Sequence, residues 1–311
     1  MRALPKSRRI ERVSDLVDLG VSPSTVRRLV RSGDVVRVRH GAVRTLPGDV
    51  SAHQGHLDLI AATLPLLDDA AVLSHISAAV VHGFPLPSRV PEAVTVTRSE
   101  ASARHRRKWL VTRTCPLPDD EVTLVRGMRV TTPERTAVDM AREYGFSVGV
   151  MSADWVLRQG RSREVMARVV ERGRRRPGNA TARRVVAFAD ARSESPGESM
   201  MRALLVQFGC PAPTLQLEVR DAHDEFIART DFGWEQHRVV GEYDGKGKYG
   251  PLAEPGVTAT DVVMAEKRRE NLIRAQGWDV IRFDARDLAR PEQAASRLMA
   301  ALHRGRLHRA A

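Results

Sequence analysis

Residues 195–304 switch repeatedly between helical and alternating hydrophobic periods, and the order of those switches limits the folds open to the chain. SPGESMMRALLVQFG (195–209) reads as a helix, with Ser195 or Ser199 near its start and Gly209 after its end. LQLEVR (215–220), EFIARTDFGW (225–234) and HRVVGEYDG (237–245) read as three strands joined by short polar turns. TDVVMAEKRRENLIRAQG (260–277) is a long helix closed by Gly277. WDVIRFDA (278–285) is a buried-type strand, and RPEQAASRLMAALHR (290–304) is a final helix. The order is helix, three strands, helix, strand, helix.

The beginning of the chain follows another pattern. VSDLVDLG (13–20) is a short amphipathic helix ending at Gly20. In SPSTVRRLVRSG (22–33), Ser22 can cap and Pro23 fits the first helical position. Val26, Leu29 and Val30 form an apolar stripe, and Gly33 ends the helix. In VVRVRHGAVRT (35–45), Val36 and Val38 alternate with Arg37 and Arg39, and His40-Gly41 signals a turn before a second short strand. Helix, turn, helix and basic hairpin is the order of a winged helix-turn-helix.

Residues 56–67 and 70–82 read as two helices, and VTVT (94–97), WLVTR (109–113) and VTLVRGMRVTT (122–132) as short strands. Arg126-Gly127 suits a hairpin turn. TPERTAVDMARE (132–143) starts a helix with Thr132 as cap and Pro133 at the first position. Further helices run to about residue 192, interrupted by RGRRRPGN (172–179), the best linker candidate. The expected domains are 1–48, a winged helix-turn-helix; 49–192, a small α/β middle domain with a helical linker; and 193–311.

The 311 residues suffice for two or three domains. The net charge of +12 is unevenly spread: +6 within 1–50, +5 within 98–113, +8 within 158–184, and −1 over 185–311. Basic blocks of this kind favour a polyanion, and double-stranded DNA is the expected partner. Aromatics at 5% argue against base-stacking platforms for single strands. Two cysteines, Cys115 and Cys210, cannot build a disulfide scaffold and suit a reducing compartment. The first thirty residues lack an apolar signal core, and no run of 18 apolar residues occurs. The expectation is a cytoplasmic protein with no membrane partner. HExxH, G-x-S-x-G, GxxxxGK[ST] and GxGxxG are all absent. His53, His56, His75 and His82 lack accompanying ligands and read as surface or core residues.

Carboxylates at strand ends carry the remaining chemical signal. Glu198 lies in the first turn of its helix, Asp231 in the second strand, and Glu242 and Asp244 at i and i+2 on one face of the third. Converging carboxylates are costly without a cation, and a hard ion such as Mg2+ takes such ligands. There it would generate hydroxide for attack on a phosphodiester. ESMMRALL after Ser-Pro-Gly, the Asp of ARTDF, VVGEYDG and KRRENLIRAQGWDVIRF resemble the PD-(D/E)XK restriction-endonuclease-like superfamily, in its very-short-patch-repair branch. The resemblance implies an αβββαβ core and makes Glu198, Asp231 and Glu242 metal ligands, with Asp244 assisting. The family's lysine position is occupied by Asp244; Lys246 or Lys248 would substitute, with Lys267 or Arg268 as another route.

GVSPSTVRRLVRSGDVVRVRHGAVRT, LSHISAAVVHGFPL and VRVTTPERTAVD resemble the AbiEi group of type IV antitoxins over about residues 8–150. That resemblance implies a DNA-binding autoregulator with a cognate toxin as partner. Ser24, Thr25, Arg27, Arg28 and Arg31 would face the major groove or its phosphates. Arg37, Arg39 and Arg44 would contact backbone or minor groove. A homodimer is natural on palindromic DNA. The expected fold class is α+β: a winged helix-turn-helix, a small α/β middle domain and a C-terminal αβββαβ restriction-endonuclease-like domain. Two functions are open at this point: a DNA-binding protein with a Mg2+-dependent endonuclease-like domain, and a non-catalytic AbiEi-type antitoxin and repressor.

Overall fold

The computed structural model describes residues 10–45, 48–87, 89–99, 106–245 and 259–310. They form two compact units: residues 1–143 with 162–179, and residues 144–161 with 180–311. The boundaries expected at 48 and 192 fall inside these units.

The first unit opens with β1 (Ile10–Arg12), α1 (Val13–Asp18), α2 (Pro23–Ser32), β2 (Val36–Arg39) and β3 (Ala42–Arg44). The strands form a small antiparallel sheet ordered β1-β3-β2. Leu16, Val21, Val26, Val35 and Val43 fill its core. There follow α3 (Ala52–Thr63), β4 (Val72–Leu73), α4 (His75–His82), β5 (Val94–Arg98), β6 (Arg106–Arg107), β7 (Leu110–Thr114), β8 (Val122–Val125) and β9 (Met128–Thr131). These six strands make one mixed sheet ordered β6-β7-β5-β4-β9-β8. The pairs β5/β7 and β4/β9 are parallel. Leu73, Val94, Val96 and Val130 pack there with Leu59, Ile60, Ala78 and Val80.

Residues 70–82 depart from the single helix expected of them. Val72 and Leu73 are strand, and the helix begins only at His75. Leu73 pairs with Val96 on one side and Val130 on the other, so sheet pairing overrides the helical reading of a short apolar run. The β8–β9 hairpin turns at the expected dipeptide, with φ of 50° at Arg126 and 76° at Gly127. Those two left-handed residues match a two-residue hairpin loop.

α5 (Pro133–Arg158) is interrupted at Gly145, whose φ of 84° and ψ of −167° are non-helical. A side chain is poorly tolerated at that conformation, and the division between units falls beside it. α6 (Arg163–Arg172) returns to the first unit. The run 172–179 is no free linker: Arg172 pairs with Asp120 and Glu121, Arg176 with Asp139, and Asn179 with Arg142.

The second unit contains the remainder of α5, nearly all of α7 (Asn179–Phe188), then α8 (Pro196–Gln207), β10 (Thr214–Arg220), β11 (Phe226–Trp234) and β12 (Val239–Asp244). α9 (Ala259–Ala275), β13 (Asp279–Asp284), α10 (Ala285–Ala289) and α11 (Pro291–Ala310) complete it. The sheet runs β10-β11-β12-β13; the first two pairings are antiparallel and β12/β13 is parallel. Met201, Leu205, Leu298 and Ala301 from α8 and α11 cover one face over Phe232, Tyr243 and Phe283. Ile273 of α9 covers the other over Val219, Ala228 and Val240. This reproduces the element order read from the sequence after 195. The molecule as a whole is α+β.

Candidate nucleic-acid interface

Val26 is the fully inward residue of α2, and Arg27, Arg28 and Arg31 are exposed. Ser22 Oγ accepts from Thr25 N at 3.1 Å, the N-terminal cap expected from sequence. The same oxygen lies 2.8 Å from Ser24 Oγ and 2.9 Å from Thr25 Oγ1. Those two hydroxyls, expected at the groove, therefore also belong to the local polar cluster at the helix start. The cap marks the start of the helix, and the cationic face runs from Arg27 and Arg28 in its middle to Arg31 in its last turn.

The wing arginines separate into different roles. The β2–β3 register shifts between Arg37 and Arg39, leaving Val38 without a partner across the hairpin. Such a bulge resets the alternation of faces. Arg37 stays exposed. Arg39 turns back: its Nε donates to Ala62 O at 3.0 Å, and its guanidinium lies 5.1 Å from the Trp109 ring centroid. Desolvation lowers its pKa, with Arg12 adding to the effect. Arg44 is only 6% exposed, pairs with Asp58 at 3.3 Å and donates to Gly48 O at 2.6 Å. Arg39 and Arg44 are thus tied into the unit's own structure, contrary to the backbone-contact role expected of them. Asp58 is the partner that sequence reasoning missed. Asp58 sits among the buried residues of α3, where an acid is almost always paired, and the sequence alone does not reveal that burial.

In the second unit, β12 places Glu242 and Asp244 on the face covered by α9, as their spacing required. Glu242 is 3% exposed. Arg269 from α9 donates to its Oε1, and Arg282 from β13 stands 3.5 Å from its Oε2. Arg282 also reaches Asp244 at 3.1 Å, Glu266 at 2.5 Å and Glu270 at 3.2 Å. Arg269 holds Glu266 at 2.9 Å. Burial pushes the Glu242 carboxyl above its usual range despite both arginines. Glu266, hydrogen-bonded to Arg269, is lowered to about 2. Glu242 Oε2 is buried and accepts no hydrogen bond.

The other expected ligands have separate engagements. Asp231 Oδ2 accepts from Tyr243 N at 2.7 Å, and Glu198 Oε2 accepts from Glu194 N at 2.8 Å. Among the described residues no three His, Cys, Asp or Glu side chains are grouped to share a metal ion. As placed, Glu198, Asp231 and Glu242 do not form the ligand set expected for Mg2+; arginine is the counter-charge at Glu242. Lys246 and Lys248 lie outside the described residues. The nearby helical cation is Arg269, one position beyond the Arg268 expected from sequence.

A winged helix with an outward cationic helix is followed in the first unit by a mixed α/β sheet. Residues 6–45 match the family described as "Transcriptional regulator, AbiEi antitoxin", and residues 69–184 match "AbiEi antitoxin C-terminal domain". These two segments are similar to domains of AbiEi antitoxins. The chain is also 26% identical over 292 residues to the uncharacterised proteins MT2308 and Rv2248 of two Mycobacterium tuberculosis strains. That alignment covers 89% of this chain and 96% of each relative. A crystal structure of the Mycobacterium tuberculosis protein RV2827C aligns over 63% of this chain and 76% of its own, with 17% identity and a TM-score of 0.40. Among the described residues no helix is long and apolar enough to cross a membrane.

Proposed function

We propose that the protein is a DNA-binding regulator of the AbiEi antitoxin type, reading double-stranded DNA through α2 with support from Arg37, and acting beside a cognate toxin. The observation that carries this reading is the exposure of Arg27, Arg28 and Arg31 on a helix whose opposite side is packed by Val26. Two copies on a palindromic site would set the half-site spacing. The test is a gel shift and footprint on the duplex upstream of its own coding sequence. Alanine at Arg27, Arg28 or Arg31 is expected to weaken retention. Removing one cation that neutralises a phosphate should reduce the salt slope by roughly 0.9. Wild-type protein that retains no duplex at low salt would sink the proposal. The toxin partner is tested by co-purification and by rescue of growth on co-expression.

The second reading, a metal-dependent endonuclease, draws support from the helix, three-strand, helix, strand order with a parallel last pair. We assign that unit a nuclease-like scaffold in which arginine serves as the cation beside Glu242. Supercoiled plasmid incubated with Mg2+ is expected to remain uncut. Nicking that disappears in both Glu242→Ala and Asp231→Ala would reverse this assignment.

A further inference from the structure

We propose that a cleft beneath the wing of the first unit binds a small amphipathic anion, with a planar apolar body and a carboxylate, sulfonate or phosphate at its edge. The cleft encloses about 660 Å³, within the range of small-molecule sites. Val38, Leu59 and Trp109 give it an apolar lining. Arg37 and Lys108 stand at its margin, both exposed, and among the described residues neither has an ion-pair partner. Among the described residues Glu92 is the one acid in the lining. Arg39 is spent on backbone carbonyls and on the Trp109 ring, so it fixes that wall instead of serving the ligand. Apolar walls with a few convergent cations favour a flat anion over a neutral or cationic body.

The site is placed to regulate. Arg37 belongs to the cleft margin and to the exposed wing. An occupant that engages Arg37 withdraws a cation from a phosphate, so occupancy opposes DNA binding. By linkage, DNA then opposes occupancy by the same factor. This regulatory clause rests on the DNA-binding reading; the cleft itself does not.

The full chain would be titrated with anilinonaphthalene sulfonate and, separately, with neutral N-phenylnaphthylamine, following probe fluorescence. Wild-type protein is expected to bind the sulfonate severalfold more tightly than the neutral probe. Gly55 lines the cleft, and a Cβ there meets only Val50 Cγ2, at 3.8 Å. Leucine is also a better helix former than glycine. Gly55→Leu should therefore fill the cleft in a folded protein, keep its duplex retention without probe, and lose roughly tenfold or more in sulfonate affinity. Lys108→Glu should lose affinity for the sulfonate and keep it for the neutral probe. The cleft assignment is overturned if wild type does not bind the sulfonate, if Gly55→Leu binds it equally, or if charge makes no difference. Saturating sulfonate should weaken duplex retention by wild type and leave Gly55→Leu unaffected; an equal response overturns the regulatory clause. If wild type retains no duplex, the DNA reading fails while the probe titration still decides the cleft.

Discussion

Glu242 illustrates how a buried carboxylate is kept tolerable without a metal ligand set. Taking it from water is expensive, and the paired guanidinium of Arg269 offsets part of that cost. Arg269→Met leaves the carboxylate buried with the more distant Arg282 alone. Urea denaturation near neutral pH should show a loss of about 2 kcal/mol, the scale of a hydrogen bond to a charged group. The sign with pH follows from the raised carboxyl. Without Arg269 the folded-state pKa of Glu242 rises further, so the variant gains protonated, uncharged Glu242 earlier on acidification. The penalty should therefore shrink as pH falls through that value, and Arg269→Met with Glu242→Gln should be less destabilised than Arg269→Met alone. Arg135 sets a harsher case in the first unit. It is 2% exposed and pairs with Asp139 at 2.8 Å and with Glu121. Arg135→Met takes one guanidinium from two buried acids, leaving Glu121 with Arg172 and Asp139 with Arg142 and Arg176, and is expected to cost about 2–3 kcal/mol, the scale of a lost hydrogen bond between charged groups. A loss below roughly 1 kcal/mol, the scale of a surface ion pair, would mean that the network rearranges.

At the scale of elements, α3 carries a pH dependence that its sequence does not announce. His56 is buried, with Nε2 2.9 Å from Ser77 Oγ and Nδ1 3.1 Å from Pro91 O. Burial lowers its pKa from 6.5 to about 4, partly opposed by the Pro91 carbonyl. The unfolded chain thus takes up this proton first as pH falls. Stability from neutral His56 is fully present above about 6.5, is lost progressively toward about 4, and is flat below. The displacement corresponds to about 3 kcal/mol. Denaturation across that window should show a steeper decline in wild type than in His56→Gln, which keeps the contribution of buried His75, whose pKa burial also lowers. The wing gives a complementary test. Arg37→Ala should weaken duplex retention with stability unchanged, whereas Arg44→Ala should lower stability by removing the Asp58 partner. Sequence placed both arginines on one basic hairpin. It read the strand pair, but the expected alternation is not kept, since Val36 and Arg37 are both exposed, and it could not show a bulge at Val38 or the buried acid facing β3. Local pattern was sufficient for α2, its serine cap and the Arg126-Gly127 turn, because those depend on neighbouring residues alone. It failed at Val72–Leu73, where pairing with strands far along the chain decides the conformation.

At the scale of the whole chain, the expected cut at 192 treats sequence order as domain order, and the structure does not. The second unit takes residues 144–161 before the chain returns to the first, and resumes at 180. No composition shift marks Tyr144, and the Arg-Pro-Gly run that looked like a linker is fastened by ion pairs within the first unit. The chemistry of Arg202 makes this division testable. Its guanidinium is buried, bonded to both carboxylate oxygens of Asp154 at 2.8 and 2.7 Å, and stacked 4.3 Å over Phe188. A fragment of residues 193–311 keeps every strand of its sheet but lacks Asp154 and Phe188. It loses the carboxylate and the ring that hold Arg202 in place, together with the Phe188 carbonyl that accepts from the same guanidinium. The fragment is expected to give no cooperative melt by circular dichroism and to aggregate, while full-length Asp154→Ala remains folded with a lowered midpoint. A fragment that melts as sharply as the full chain, at the same temperature, would show that residues 144–161 and 180–192 are dispensable to the second unit.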